Sequence, residues 1–587
     1  MGRILTLVCL ALLTASPAAL ALDTETRAVG PVMTWRTDDL NRFDPEWLQV
    51  KFVEGSNVRL ESRHLVDDSG TDLEPVNRLL ESPRVTEVRP TFHQDRAQLR
   101  AWKAEGEARC GQIGPDLSLW FNVRVSGGEA QVARLVNQLN RCDAVEIAHP
   151  VPMVEPAVIV PTTAGATASP PRTPDFTDQQ DYLYEPPVGL DAPAAWAMAG
   201  GRGELMKFID VELCWTEDHE DFEFPNNFYQ GGAPQDPGYE PHGTAVLGEV
   251  IGSHNDYGID GFAPATQYGV VAIDIDLYPD VAQYFQEALD QLDRGDVWLI
   301  ELQMYPPDRS ATPMEWLQVN YDVIWTSAWA REVVCVEAGA NGSQDLDDRS
   351  WGGVFDRDLR DSGAIMVGAG TPVGRVAESF TNYGSRMDVH AWGSEIVTTG
   401  YGDLYNGGSL QTKYTQGFGG TSGASPMIVG CCLCLQGIAK ALGIEPLAPV
   451  ALRTMLNQTG IPHLDPNKEI GPRPDLAAAL EALSAYYAAS PDVDRVGRAH
   501  LTCSPNPVRS GTEIRFRISS PGEAHLVLFD SSGRRVRTLV DGLRDRGEYR
   551  IAWDGLDDAG RRVDNGVYFF RLRDGGASRA GRLEVIR

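Results

Sequence analysis

The chain has 587 residues, enough for three or four domains at roughly 150 residues each. Apolar residues make up 42% and charged residues 23%, so packed cores are expected and disorder is not the default. The formal charge of −31 excludes a nucleic-acid binder, which needs a basic footprint, and argues against attachment to an anionic membrane surface. The charge is uneven. Residues 501–587 hold 16 Arg, no Lys and 12 acids, so a mildly basic tail follows an acidic body and reads as a separate module.

The chain begins with a secretory pattern. Arg3 is a positive n-region, Ile4 to Leu13 an apolar h-region, and Ala19-Leu20-Ala21 a small-x-small cleavage site, so residues 1–21 read as a signal peptide. The alternative, a membrane anchor, needs about 20 apolar residues, and the run is shorter. No transmembrane segment is expected.

Residues 22–155 mix strand-like and helix-like segments and form an N-terminal domain. Trp47 to Val53 and Leu117 to Val125 read as strands, and Val132 to Leu139 has helical periodicity. Residues 156–180 read as a linker rich in Pro, Ala and Thr. From 181 to 487, strand-like runs at Met206 to Ile209, Val297 to Leu302, Val333 to Val336 and Ala364 to Val367 alternate with helical patterns. This predicts an α/β domain with a doubly wound parallel sheet. Residues 488–501 are a second linker. Residues 502–587 carry short strands and turn dipeptides (Asp554-Gly555, Asn565-Gly566), which predicts an all-β sandwich.

Eight cysteines follow Cys9. Cys431, Cys432 and Cys434 lie in an apolar helical run and read as small buried hydrophobes. Cys110 and Cys142 share the N-terminal domain and are candidates to pair with each other. Paired Cys/His at metal-ligand spacing do not occur.

The chemistry concentrates in three places. Gly420-Thr421-Ser422-Gly423-Ala424-Ser425-Pro426 precedes an apolar helical run, Met427 to Leu442. Such a turn puts Ser422 where backbone N–H groups and the helix dipole converge. The plainer reading is a glycine-rich helix cap. His242-Gly243-Thr244 opens a second helical run, and a histidine can take a proton from a serine hydroxyl near neutral pH. Its plainer reading is a structural histidine. Leu205 to Ile209 reads as a strand ending in Asp210, which places an acid where open α/β sheets build sites, or simply caps a turn. Together Asp210, His242 and Ser422 supply the acid, base and nucleophile of a serine hydrolase.

In this order, with GTSxASP around the serine and HGTxVxG around the histidine, residues 181–487 resemble the subtilisin-like serine peptidases (peptidase S8). The resemblance implies a secreted endopeptidase that works through an acyl-enzyme. By the same resemblance Asn341, in Glu337-Ala338-Gly339-Ala340-Asn341, holds the oxyanion with the N–H of Ser422. Leu302, Gln303, Ala338 and Gly339 would bind the substrate backbone. Two features depart from the family pattern. Val211-Glu212 follows Asp210 where Thr/Ser-Gly is usual, and Ala340 precedes the asparagine where Gly is usual.

Residues 36–155 resemble, by position and pattern, the prodomains of secreted subtilisins, which assist folding and inhibit; an accessory binding domain is the alternative. The tail, through SPNP, FDSSGRRVRTL and WDGLDDAGRRVDNGVYFFRL, resembles FlgD-like Ig modules and type IX sorting domains, which implies outer-membrane secretion machinery as a partner and a secreted or cell-surface location. The chemistry requires no cofactor. Structural Ca²⁺ is common in the family, but no ligand set stands out. Asp554, Asp557 and Asp558 read as turn residues, with a Ca²⁺ loop the alternative. Protein or peptide substrates and the chain's own prodomain are the other expected partners. A second hypothesis keeps the fold for binding alone, on the surface, motivated by the two departures.

Overall fold

The structure, a computed structural model, describes residues 27–157, 172–222, 226–233, 236–274, 280–489 and 501–586, with short gaps in the last span at 505, 510, 519–521, 531–533, 545–546 and 575–576. The signal-like segment, residues 158–171 of the first expected linker and residues 490–500 of the second lie outside these residues. The chain divides into two compact units. One comprises residues up to 152 with 315–331 and 347–363; the other comprises 153–314, 332–346 and 364–587.

The first unit is built on a four-stranded antiparallel sheet in the order Val85–Pro90, Trp120–Val125, Phe43–Phe52, Val145–Pro152. Helix Glu129–Leu139 lays Val132, Val136 and Leu139 on that sheet, as its 3.6-residue spacing requires. Helix Arg96–Cys110 is capped by Asp95, whose carboxylate accepts from the N–H groups of Ala97 and Gln98. Cys110 and Cys142 do not pair. Both are free thiols, with their sulfurs against the carbonyls of Gln112 and Gln138.

Segment 315–331 enters this unit from far along the sequence. Its helix, Gln318–Trp325, is wholly buried. The ring of Trp325 lies over Gly106 and Gly114, where a Cβ would come within 2.4 and 2.3 Å of it. Asp322 accepts from Arg27 Nη1 at 2.5 Å, Trp120 Nε1 at 2.9 Å and Gln318 Nε2 at 2.8 Å. Lys51, fully buried, stands 3.6 Å from the same carboxylate and 3.0 Å from Glu146. Buried charges are tolerated when paired and hydrogen-bonded in this way.

The second unit holds the seven-stranded sheet, parallel throughout. Its order is Val389–Trp392, Ile365–Gly370, Val334–Ala338, Val297–Ile300, Lys207–Glu212, Gln267–Ala272, Asn227–Gly232. The first strand in sequence, Lys207–Glu212, lies beside the fourth, Val297–Ile300, so strand order reverses there. In open α/β sheets such a reversal opens a crevice at the carboxyl ends. Helix Thr421–Ala441 packs through the core. It is the one helix among the described residues long and apolar enough to cross a bilayer, and it is entirely buried. The C-terminal segment forms sheets of three and four antiparallel strands around Trp553, Leu526 and Phe570, an Ig-like sandwich.

Candidate active site

Strand Lys207–Glu212 carries two acids. Asp210 and Glu212 are two residues apart, so both side chains leave the same face. The strand runs past Asp210 and ends at Glu212, which puts Glu212 nearer the crevice. Asp210 Oδ2 accepts from the indole N–H of Trp215 at 2.7 Å. Glu212 Oε1 meets Nδ1 of His242. The side chain against the histidine is thus Glu212, not the expected Asp210, because the strand is two residues longer than its apolar run suggests.

His242 lies in the first turn of helix Glu240–Ile251 and is 2% exposed. Phe418 packs edge-on against its ring, with centroids 5.6 Å apart. Among the described residues its Nε2 has no hydrogen-bond partner. Burial, opposed in part by the charge of Asp210, lowers the imidazole to about 4, so the ring is neutral at neutral pH, as a base must be. Burial drives the Glu212 carboxyl well above the carboxylate range; for Asp210 burial and then the charge of Glu212 do the same. Gly243 is required beside them. A Cβ there would lie 2.3 Å from the Cys214 carbonyl and 2.5 Å from Glu212 Oε2.

Ser422 is the second residue of helix Thr421–Ala441. The helix starts after Gly420, which sits at φ +96° where a side chain would be strained. Ser422 Oγ donates to the carbonyl of Ala157 at 2.5 Å. Asn341 Nδ2 donates to the same carbonyl at 2.6 Å. Asn341 Oδ1 accepts from Thr421 N at 3.0 Å and from its Oγ1 at 3.2 Å, so its amide orientation is fixed. Ala340, before it, adopts φ +65°. The chain therefore takes the left-handed geometry here without glycine, at a cost of about 1–2 kcal/mol.

Residues 153–157 begin the second unit and run into this crevice. Strand Val154–Pro156 pairs antiparallel with Leu302–Met304, with Gln303 opposite Glu155. The N–H of Ala157 donates to the Glu301 carbonyl at 3.0 Å. The expected backbone partners Leu302 and Gln303 thus hold an extended segment of the chain itself. Ala338 and Gly339 are engaged elsewhere: Ala338 pairs with Val367, the Gly339 N–H donates to the Val367 carbonyl, and the Gly339 carbonyl accepts from Asn382.

Glu301, which the sequence did not single out, is fully buried beside Ser422, whose hydroxyl faces its carboxyl group. Burial, then the charges of Asp210 and Glu212, push it well above the carboxylate range. Among the described residues no group of three or more His, Cys, Asp or Glu is placed to hold a metal. The carboxylates of Asp554 and Asp557 accept from the N–H groups of Leu556 and Ala559, two residues on, as turn residues do, while Asp558 accepts from the N–H of Thr538 on strand Arg535–Arg544.

The family model for the subtilase family matches residues 214–474, and that for the FlgD Ig-like domain matches 506–577. The chain is similar to an intracellular serine protease of Paenibacillus polymyxa, 25% identical over 338 residues, 56% of this chain and 94% of that protein. A thermophilic serine proteinase of Bacillus sp. (strain AK1) is 30% identical over 350 residues, 58% of this chain and 72% of that protein. Among solved structures, fervidolysin from Fervidobacterium pennivorans, a keratinolytic enzyme related to subtilisin, aligns over 94% of this chain and 77% of its own, at 14% identity and a TM-score of 0.48. The chain belongs to the subtilase family and is a subtilisin-type serine endopeptidase.

Proposed function

We propose that Ser422, His242 and Glu212 form the catalytic triad of an exported peptidase whose first substrate is its own chain, at the bond after Ala157. The observation that carries this reading is the Ala157 carbonyl, gripped by Ser422 Oγ and Asn341 Nδ2 at 2.5 and 2.6 Å. Ser422 Oγ bonds to that carbonyl carbon while its proton passes to His242 Nε2, which is free to receive it. The carbonyl oxygen becomes an oxyanion facing Asn341 Nδ2 and the N–H of Ser422. Collapse breaks the C–N bond to Val158, and His242 returns the proton to the leaving amine. Water repeats the sequence on the acyl-enzyme and releases the Ala157 carboxylate. Glu212 holds the Nδ1 proton of His242 and supports the imidazolium. Asp210 acts one step away, through Trp215.

After the cut, segment 153–157 remains a product-like strand on Leu302–Met304, so the N-terminal domain inhibits until it leaves. The signal-like residues 1–21 support export, and the C-terminal module supports passage through, or display on, an outer membrane. The binding-only alternative loses its motivation, since Glu212 faces the histidine and Ala340 takes the geometry the position needs. Intact mass and N-terminal sequencing of wild type beside Ser422→Ala test the reading. The wild type should begin at Val158 and the variant should keep the N-terminal domain. Wild type left uncut after signal removal, or cutting that persists in the variant, refutes it.

A further inference from the structure

The strand in the crevice is held by its side chains as well as its backbone. Glu155, two residues before the Ala157–Val158 bond, lies opposite Gln303. Its carboxylate Oε1 accepts from Gln303 Nε2 at 3.1 Å and from the hydroxyl of Tyr305. Gln303 Nε2 also lies 3.3 Å from the Tyr305 hydroxyl, so both donors converge on one spot. The orientation of the Gln303 amide is fixed from its other end, because Gln303 Oε1 accepts from the N–H of Asn341 at 3.1 Å. With that oxygen engaged, only the NH₂ of Gln303 is left to face the bound strand. A side chain at this place meets two neutral donors, which is the complement of a carboxylate. The neighbours on the strand are compact: Val154 and Ala157 are buried, and Pro156 contributes no N–H.

We propose that Tyr305 and Gln303 form a specificity subsite for an acidic residue two positions before a small residue at the scissile bond, so that the enzyme selects segments of the type Val-Glu-Pro-Ala. This rests on the catalytic reading above for the position of the bond. Gln303 links the subsite to the site of reaction, because the amide that meets the substrate carboxylate also accepts from the backbone of Asn341, the residue holding the oxyanion. An acid in the subsite therefore orders Gln303 and, through it, Asn341. The acid should raise kcat as well as lower KM.

Peptides Val-X-Pro-Ala with a chromogenic leaving group, X being Glu, Gln or Lys, test the subsite on the processed wild-type enzyme. Hydrogen bonds to a charged group predict that Glu exceeds Gln by about tenfold or more in kcat/KM, with Lys lowest. In Tyr305→Phe the Glu/Gln ratio should fall severalfold. Equal rates for the three peptides overturn the proposal. A readout free of catalysis separates it from the reading it rests on. In the full chain carrying Ser422→Ala, amide hydrogen exchange across 154–157 reports docking of the strand. Adding Glu155→Gln should speed that exchange by about tenfold, and Tyr305→Phe should add little more once Glu155 is gone. Exchange unchanged by Glu155→Gln refutes the subsite whether or not the enzyme cuts. Failure of the wild type to cut any peptide, with exchange still sensitive to Glu155, overturns the catalytic reading and leaves the subsite standing.

Discussion

Replacing each of the two strand acids tests the assignment of Glu212 most sharply. Glu212 is fully buried and places Oε1 on His242 Nδ1, while Asp210 is fully buried with Oδ2 on Trp215. Glu212→Gln keeps the shape and removes the ionisable carboxyl group that faces Nδ1. Its amide can present N–H₂ to Nδ1, which favours the wrong imidazole tautomer and leaves the imidazolium unsupported. The equivalent change in a serine-protease triad costs about 10⁴-fold in kcat, about 5.5 kcal/mol of barrier. Asp210→Asn retains an oxygen acceptor for the Trp215 indole and leaves the His242 contact in place. Its effect should stay within about tenfold on rate and about 1–3 kcal/mol on stability. Both variants would be followed by the rate at which the N-terminal segment separates, with fluorophosphonate labelling of Ser422 as an independent readout. The reasoning is refuted if Asp210→Asn silences the enzyme while Glu212→Gln processes near the wild-type rate.

Two further expectations concern the oxyanion and the N-terminal unit. Asn341→Ala removes the side-chain donor to the Ala157 carbonyl and should slow processing by about 100–1000-fold with little change in fold; a loss under tenfold, measured by the same time course, would count against its role. Burial alone would raise the Glu54 carboxyl, but Lys51, Arg27 and Lys103 outweigh it and hold it from 4.5 down to about 2. A lowered acid stabilises the folded state above its unfolded value, so this contribution is present above pH 4.5 and is lost as pH falls toward 2, on the order of 3 kcal/mol in all. Thermal melts of the N-terminal unit from pH 6 to 3 should show that decline, and Glu54→Gln should flatten it; an unchanged slope in the variant rules out Glu54 as its source.

Much of this architecture is legible in the residues. Alternating apolar runs mark the sheet strands, and small residues before a long apolar helix mark Ser422. His242 stands out for the same reason, at the start of a helix. Glu212 is not legible from apolarity, because a strand end is set by its pairing with neighbours. Ala272, opposite Glu212, keeps the strand in register three residues beyond the apolar run. Period two then brings both acids to one face, and Trp215 takes the nearer claim on Asp210. Strand Val154–Pro156 is hidden for another reason. It is three residues long and ends in proline, so nothing local separates it from the linker that follows. The joining of 315–331 to the N-terminal unit is a pairing between distant parts of the chain, and no local pattern encodes it.

That joining bears on what a single cut achieves. Hydrolysis after Ala157 would sever the polypeptide but leave Trp325 seated over Gly106 and Gly114 and Asp322 bonded to Arg27 and Trp120. The two fragments would still share one interior. Departure of the N-terminal piece would carry Arg27 and Lys51 into water and strand Asp322 and a large indole on the surface left behind. Such a nicked pair behaves as a tight complex whose lifetime is set by unfolding of one partner. On the proposed reading of the N-terminal piece as an inhibitor, dissociation rather than hydrolysis would set when the enzyme starts, and anything that digests or destabilises that piece would advance it.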